Sequence, residues 1–182
     1  AIIFGGIGAL AGRSVLETLP ILANGVFGQG PSGLGYMTAA AGAGAVGASI
    51  FKAVSKPQKA NEFEPHILAM PVVIPLLVAS FAMIDDFGTA VGAVALVGAS
   101  VTLLAISLQS TVQMAIEDRY RGRVMGLWTT ISIGSGAIGA VLMGVLVDMA
   151  GPASAQLLTG LTLAAASVLV LSKFRLGEGR RQ

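Results

Sequence analysis

The chain has 182 residues, 54% of them hydrophobic and 11% charged, with a formal net charge of +2 and a mean hydropathy of +0.83. A soluble domain with a hydrated surface does not carry that composition, so the chain reads as an all-α polytopic membrane protein. The absence of cysteine excludes disulfides, thiolate metal sites and iron–sulfur clusters, and basic residues placed at the ends of apolar runs, away from stacking aromatics, exclude nucleic acid as a partner.

Six apolar stretches, at about 2–27, 33–54, 66–84, 89–116, 123–147 and 152–173, each approach or exceed the roughly 20 residues that cross a hydrocarbon core about 30 Å thick. The first begins at Ala1 without an initiator Met, which leads us to expect further protein upstream. Within it Arg13 and Glu17 lie one turn apart and Asn24 follows on the same side. At about 100° per residue the three point within about 40° of one another, provided Pro20 does not swing the helix. A charge near the centre of a span costs about 2.5–3.5 kcal/mol on translocon scales, so such residues usually face a cavity or a bundle interior. This stripe is either a substrate or proton site or a structural ion pair.

The second stretch carries Gly35, Ala39, Ala43 and Gly47 at four-residue spacing, with Gly44 beside them, a pattern that lets another backbone approach closely. A polar linker, Ser55 to His66, leads to the third stretch, where Pro71 and Pro75 interrupt the hydrogen-bond ladder, as Pro20 does in the first, and predict bends. Those bends serve either packing or gating. In the fourth stretch Thr102, Gln109 and Gln113 form a neutral stripe with Ser110 beside it; amides donate and accept without charge, which suits polar solutes and interhelical glue alike. The segment Glu117 to Gly126, with Asp118, Arg119, Arg121 and Arg123, opens the fifth helix as either a cytoplasmic gate of ion pairs or a set of topological anchors. The fifth stretch repeats the small-residue pattern with Ser132, Gly136, Ala140 and Gly144, and Gly139 within the same run, while the sixth shows no strand-like alternation between Leu157 and Leu171.

Gly42 to Ala48 recurs nearly letter for letter as Gly134 to Ala140, an offset of 92 positions that also pairs Leu16-Glu17-Thr18 with Leu108-Gln109-Ser110 and Tyr36 with Trp128. The chain is thereby expected to be a tandem duplication, residues 1–88 and 89–182, of three spans each. An odd number of spans places the second copy upside down. Ten of the eleven Lys and Arg residues fall in the loops after the second and fourth stretches or in the tail, and none in Gly28 to Ser32, Asp85 to Gly88 or Asp148 to Pro152, so both ends are expected in the cytoplasm.

Enzyme signals do not hold together. The G-x-G-x-x-G spelling in the glycine runs lacks the strand that a dinucleotide site needs. Gly30-Pro31-Ser32-Gly33 resembles a serine-nucleophile motif, but the single histidine, His66, is predicted on the opposite side of the membrane. Asp85-Asp86 reads as a loop cap and not a metal site. No catalytic residue, metal or cofactor is expected.

Three segments, Gly12 to Pro20, Gly33 to Gly47 and Gln113 to Gly126 with Arg121-Gly122-Arg123-Val124-Met125, resemble the C-terminal half of a bacterial major facilitator superfamily transporter, in the enterobactin-exporter-like branch of transmembrane secretion effectors. Glu117 stands where that family usually has a proline. The resemblance implies a twelve-span protein of the bacterial inner membrane working by alternating access and proton exchange, with a missing N-terminal six-span half as partner. It implies export of siderophores, drugs or similar amphipathic solutes, with Arg13, Glu17, Gln109 and Gln113 as this half's contribution near the bilayer midplane. The alternative is a six-span scaffold or partner subunit with no transport cycle of its own.

Overall fold

The computed structural model describes residues 11–12, 15–55 and 65–178, apart from the side chains of 65–68, 118 and 173–178. All regular structure among them is helical. Helix α1 covers Val15–Val26, followed by α2 (Gly30–Val54), α3 (Pro65–Ser80, extended by a 3-10 turn at Phe81–Met83), α4 (Phe87–Ala115), α5 (Asp118–Ala150) and α6 (Pro152–Glu178). Helices α2, α4, α5 and α6 are long and apolar enough to cross a membrane; Val15–Val26 and Ala69–Met83 are shorter apolar helices.

The breaks between helices follow from local chemistry. Gly28 and Gly30 take φ of +62° and +60°, a region that side chains avoid, and Pro31 sits in the first turn of α2, where its missing N–H costs nothing. Asp86 caps α4 by accepting from the Thr89 N–H at 2.8 Å and the Thr89 hydroxyl at 3.0 Å. The backbone hydrogen bond and then the hydroxyl hold its carboxyl below the ordinary value. A depressed pKa means that the cap contributes at neutral pH and is lost only as pH falls through that lowered value. Gly151, at φ +80°, closes α5, and Pro152 opens α6. In α1 the α pattern gives way to a π turn at Leu22–Val26, closed by the Phe27 N–H on the Leu22 carbonyl at 2.9 Å. Helix α3 stays continuous through Pro71 and Pro75.

Burial follows the helical period. Val15, Leu19, Leu22 and Ala23 of α1 join Val94, Val97, Leu104 and Leu108 of α4, Ile74 and Val78 of α3, and Met37 of α2 in one core, most of them following the three-, four- or seven-residue spacing of one helix face. Large apolar side chains are nevertheless exposed along the outer faces, among them Val46, Ile50, Ile133, Ile138, Val141 and Leu169. Lipid tails solvate such faces and water does not, so the pattern suits a bilayer.

Specific contacts fix the direction of each helix. The Phe27 and Phe87 rings meet edge to face at 5.9 Å, and a Cβ at Gly33 would lie 3.5 Å from Phe87 Cε2, which places the end of α1 beside the starts of α2 and α4. Farther along, Gly44 faces Ala95 and Ala99 while Gly98 faces Ala41, so α2 and α4 run parallel. Ser167 reaches Pro71 and Gly160 abuts Pro75 and Ala79, so α6 runs antiparallel to α3. Successive helices therefore alternate in direction. The α1–α2, α3–α4 and α5–α6 connections lie at one end, and Lys52, Arg119, Arg121 and Arg123 at the other.

The close approach of α2 and α4 uses one of two small-residue rows. A Cβ at Gly44 would collide with the Ala95 carbonyl oxygen and lie 2.8 Å from its carbon; a Cβ at Gly98 would lie 3.0 Å from the carbonyl carbon of Ala41. Gly35, Ala39, Ala43 and Gly47 are all exposed, and Cβ atoms at Gly35 and Gly47 would meet open space. The contact thus runs through Gly33, Met37, Ala41, Gly44 and Ala48, and Gly47 belongs to the opposite face.

Candidate functional site

The polar residues of α1 and α4 share one property. Glu17 and Asn24 are exposed while the neighbouring Thr18, Leu19, Leu22 and Ala23 are buried, so α1 turns its acid and amide away from the core. In α4, Gln109 and Gln113 are exposed while Leu104, Ser107 and Leu108 are buried, and Thr102 is half-buried. Both stripes lie on the outward faces of apolar helices. The π turn at Leu22–Val26 includes Asn24 and winds more widely than an α turn, so the 100° register that aligns Asn24 with Glu17 does not carry through it. Arg13 lies outside the described residues.

The charged segment between α4 and α5 is the start of a helix. Glu117 takes the cap position, with the Tyr120 N–H donating to its carbonyl at 2.9 Å. Arg119, Arg121 and Arg123 are exposed along the first turns, and the Arg119 guanidinium sits 4.8 Å from the centre of the Tyr120 ring, within cation–π range. The side chain of Asp118 lies outside the description. Ser32, of the motif that resembles a serine nucleophile, donates its hydroxyl to the Gln29 carbonyl at 3.0 Å, and α3, which carries His66, begins at the other end of the bundle.

Helix α5 buries Gly136, Gly139 and Met143, while Gly144 is exposed. Gly139 and Met143 border an apolar hollow of about 170 Å³ between α5 and α6, closed on the α6 side by Thr159, Thr162 and Leu163. The Thr159 hydroxyl donates to Met143 Sδ at 3.5 Å.

Polar side chains of α6 that the sequence reading passed over prove to be cross-links. Gln156 is fully buried, and its Nε2 donates to Thr18 Oγ1 at 3.2 Å, tying α6 to the residue beside Glu17. Thr18 in turn donates to the Val15 carbonyl at 2.9 Å. Among the described residues, Gln156 Oε1 finds no hydrogen-bond partner. Ser167, also fully buried, donates to the Pro71 carbonyl of α3. Helix α6 also carries Ser154, Thr159, Thr162 and Ser172, so polarity alone does not single these two out, although buried polar groups find partners.

The family model described as transmembrane secretion effector matches residues 1–182. No curated protein and no solved structure matches the chain.

Proposed function

Because the chain belongs to the transmembrane secretion effector family, and so to the membrane transporters, we propose that it forms half of a proton-coupled exporter of small amphipathic solutes, siderophore-like or drug-like. The observation that carries this is the outward placement of Glu17, Asn24, Gln109 and Gln113 on apolar helices. A charge facing lipid near mid-span costs about 2.5–3.5 kcal/mol, whereas the same charge facing a water-filled path or a complementary protein surface is tolerated. These stripes line the translocation path, and the six helices face an upstream six-span half across it. Residues 1–88 and 89–182 are two inverted triplets of spans, a reading supported by the alternating helix directions and the 92-residue sequence repeat. Proton exchange at Glu17 drives alternating access, with Arg13 as its neighbour and Arg119, Arg121, Arg123 and Asp118 at the cytoplasmic gate. The protein sits in the bacterial inner membrane with both ends of this segment inside, as the one-sided Lys and Arg residues favour.

Cysteine labelling tests path and orientation together, since the chain contains no cysteine of its own. In intact cells an impermeant thiol reagent is expected to modify Asp85→Cys and Ala150→Cys, and to modify Tyr120→Cys only after permeabilisation. A small hydrophilic reagent is expected to reach Gln109→Cys and Gln113→Cys in the assembled protein but not Leu96→Cys on the same helix. Reactivity at Leu96 with none at Gln109 or Gln113 would leave the amides as interhelical glue and favour the scaffold alternative.

A further inference from the structure

Pro75 lies inside α3 and has no N–H, so the carbonyl four residues earlier, that of Pro71, loses its helical donor. Pro71 and Pro75 are both fully buried, so water does not replace that donor, and an unmatched carbonyl in such a place is destabilising. The Ser167 hydroxyl of α6, itself fully buried, lies 2.5 Å from this oxygen. Its other acceptor within reach is the Leu163 carbonyl at 2.8 Å, which the Ser167 N–H already serves within α6. One hydroxyl has one hydrogen, and the acceptor without a helical donor takes it. A second feature brings the helices close enough for so short a side chain to reach. A Cβ at Gly160 would lie 2.5 Å from the Pro75 oxygen and 2.6 Å from the Ala79 nitrogen, so α6 rests its backbone directly on α3 one helical stretch away.

We propose that Ser167 is the substitute hydrogen-bond donor for the Pro71 carbonyl that Pro75 orphans, so that α6 completes the backbone ladder of α3 and the two helices form one unit. A hydroxyl acting as a general polar contact would be worth the same whatever residue 75 is. A hydroxyl completing the ladder matters only while residue 75 is proline. Ser167 and Pro75 are therefore coupled although the hydroxyl touches residue 71.

The test is a double-mutant cycle on the full-length protein in detergent, read as the midpoint of thermal unfolding and as the amount accumulated in the membrane. Ser167→Ala alone is expected to lower the midpoint by several degrees. In a Pro75→Ala background, where residue 75 again donates to the Pro71 carbonyl, the same substitution is expected to change little. If Ser167→Ala alone fails to accumulate, Pro75→Ala is expected to restore it. Equal losses in both backgrounds, or no restoration, would overturn the proposal. An independent reading needs no change at residue 75. With carbonyl-¹³C proline incorporated throughout the protein, the infrared difference between wild type and Ser167→Ala should show one carbonyl band moving to higher frequency as it loses its donor. A flat difference spectrum would contradict the assignment.

Discussion

Replacing Glu17 by Gln is expected to leave the protein folded, in the membrane and able to bind solute, while reducing export driven by a pH gradient to the level of protein-free liposomes. Gln has nearly the shape of Glu and keeps one carbonyl acceptor, so contacts that depend on form survive. It cannot take up and release a proton, so anything that depends on titration stops. The position supports this separation. Glu17 is exposed on α1 while Thr18 and Leu19 on either side of the helix face are buried, so the substitution leaves the core untouched. Two readouts divide the outcomes: binding of an amphipathic dye such as ethidium, and dye flux under an imposed pH gradient. Loss of both would assign Glu17 to binding or folding. Flux with unchanged dependence on the gradient would make Glu17 a structural partner and move coupling to another residue.

Gly44→Leu is expected to have the largest effect on the fold. The Cβ alone would strike the Ala95 carbonyl and lie 3.1 Å from the Ala99 nitrogen, both backbone atoms of α4 that no side-chain rotation moves. Overpacking of a closed site commonly costs about 1–3 kcal/mol, occasionally more, and here α2 and α4 must separate along their whole crossing because Gly98 meets Ala41 from the other side. The variant should accumulate poorly and unfold well below wild type. Gly47→Leu is the control, since a Cβ there meets open space; it should accumulate normally. If the two variants behave alike, α2 does not cross α4 at Gly44.

Composition and the length of the apolar runs announce a helical membrane protein, because lipid leaves the backbone few other ways to satisfy its hydrogen bonds. The breaks between helices are equally legible, since Gly28, Gly30, Asp86, Gly151 and Pro152 act through their own backbone chemistry. The choice of packing face is not. In α2 small residues occupy two rows, Gly35 to Gly47 and Gly33 to Ala48, and only the presence of α4 decides that the second is buried. Glycine spacing states that a close approach is permitted and leaves open which side takes it. The register of α1 beyond Pro20 is not fixed by the sequence either, although Glu17 and Asn24 both stay exposed. A wheel at constant pitch carries Asn24 past Pro20 unchanged, while the chain winds a π turn that includes Asn24. The cross-links from Gln156 to Thr18 and from Ser167 to Pro71 join residues far apart in the chain, and no local period encodes such pairs. The one clue to the second was chemical: a proline within a buried helix needs a donor from elsewhere.

Solute-coupled proton movement tests the exporter reading most directly. The purified full-length protein, in liposomes with an acidic lumen, a pH-sensitive dye inside and the membrane potential clamped, would be offered a catecholate siderophore and ethidium in turn. At least one of them is expected to accumulate in the lumen while protons leave with it, saturably, and a protonophore should abolish both movements. If neither solute moves protons and the pH gradient drives no accumulation of either, proton-coupled export of this solute class is contradicted.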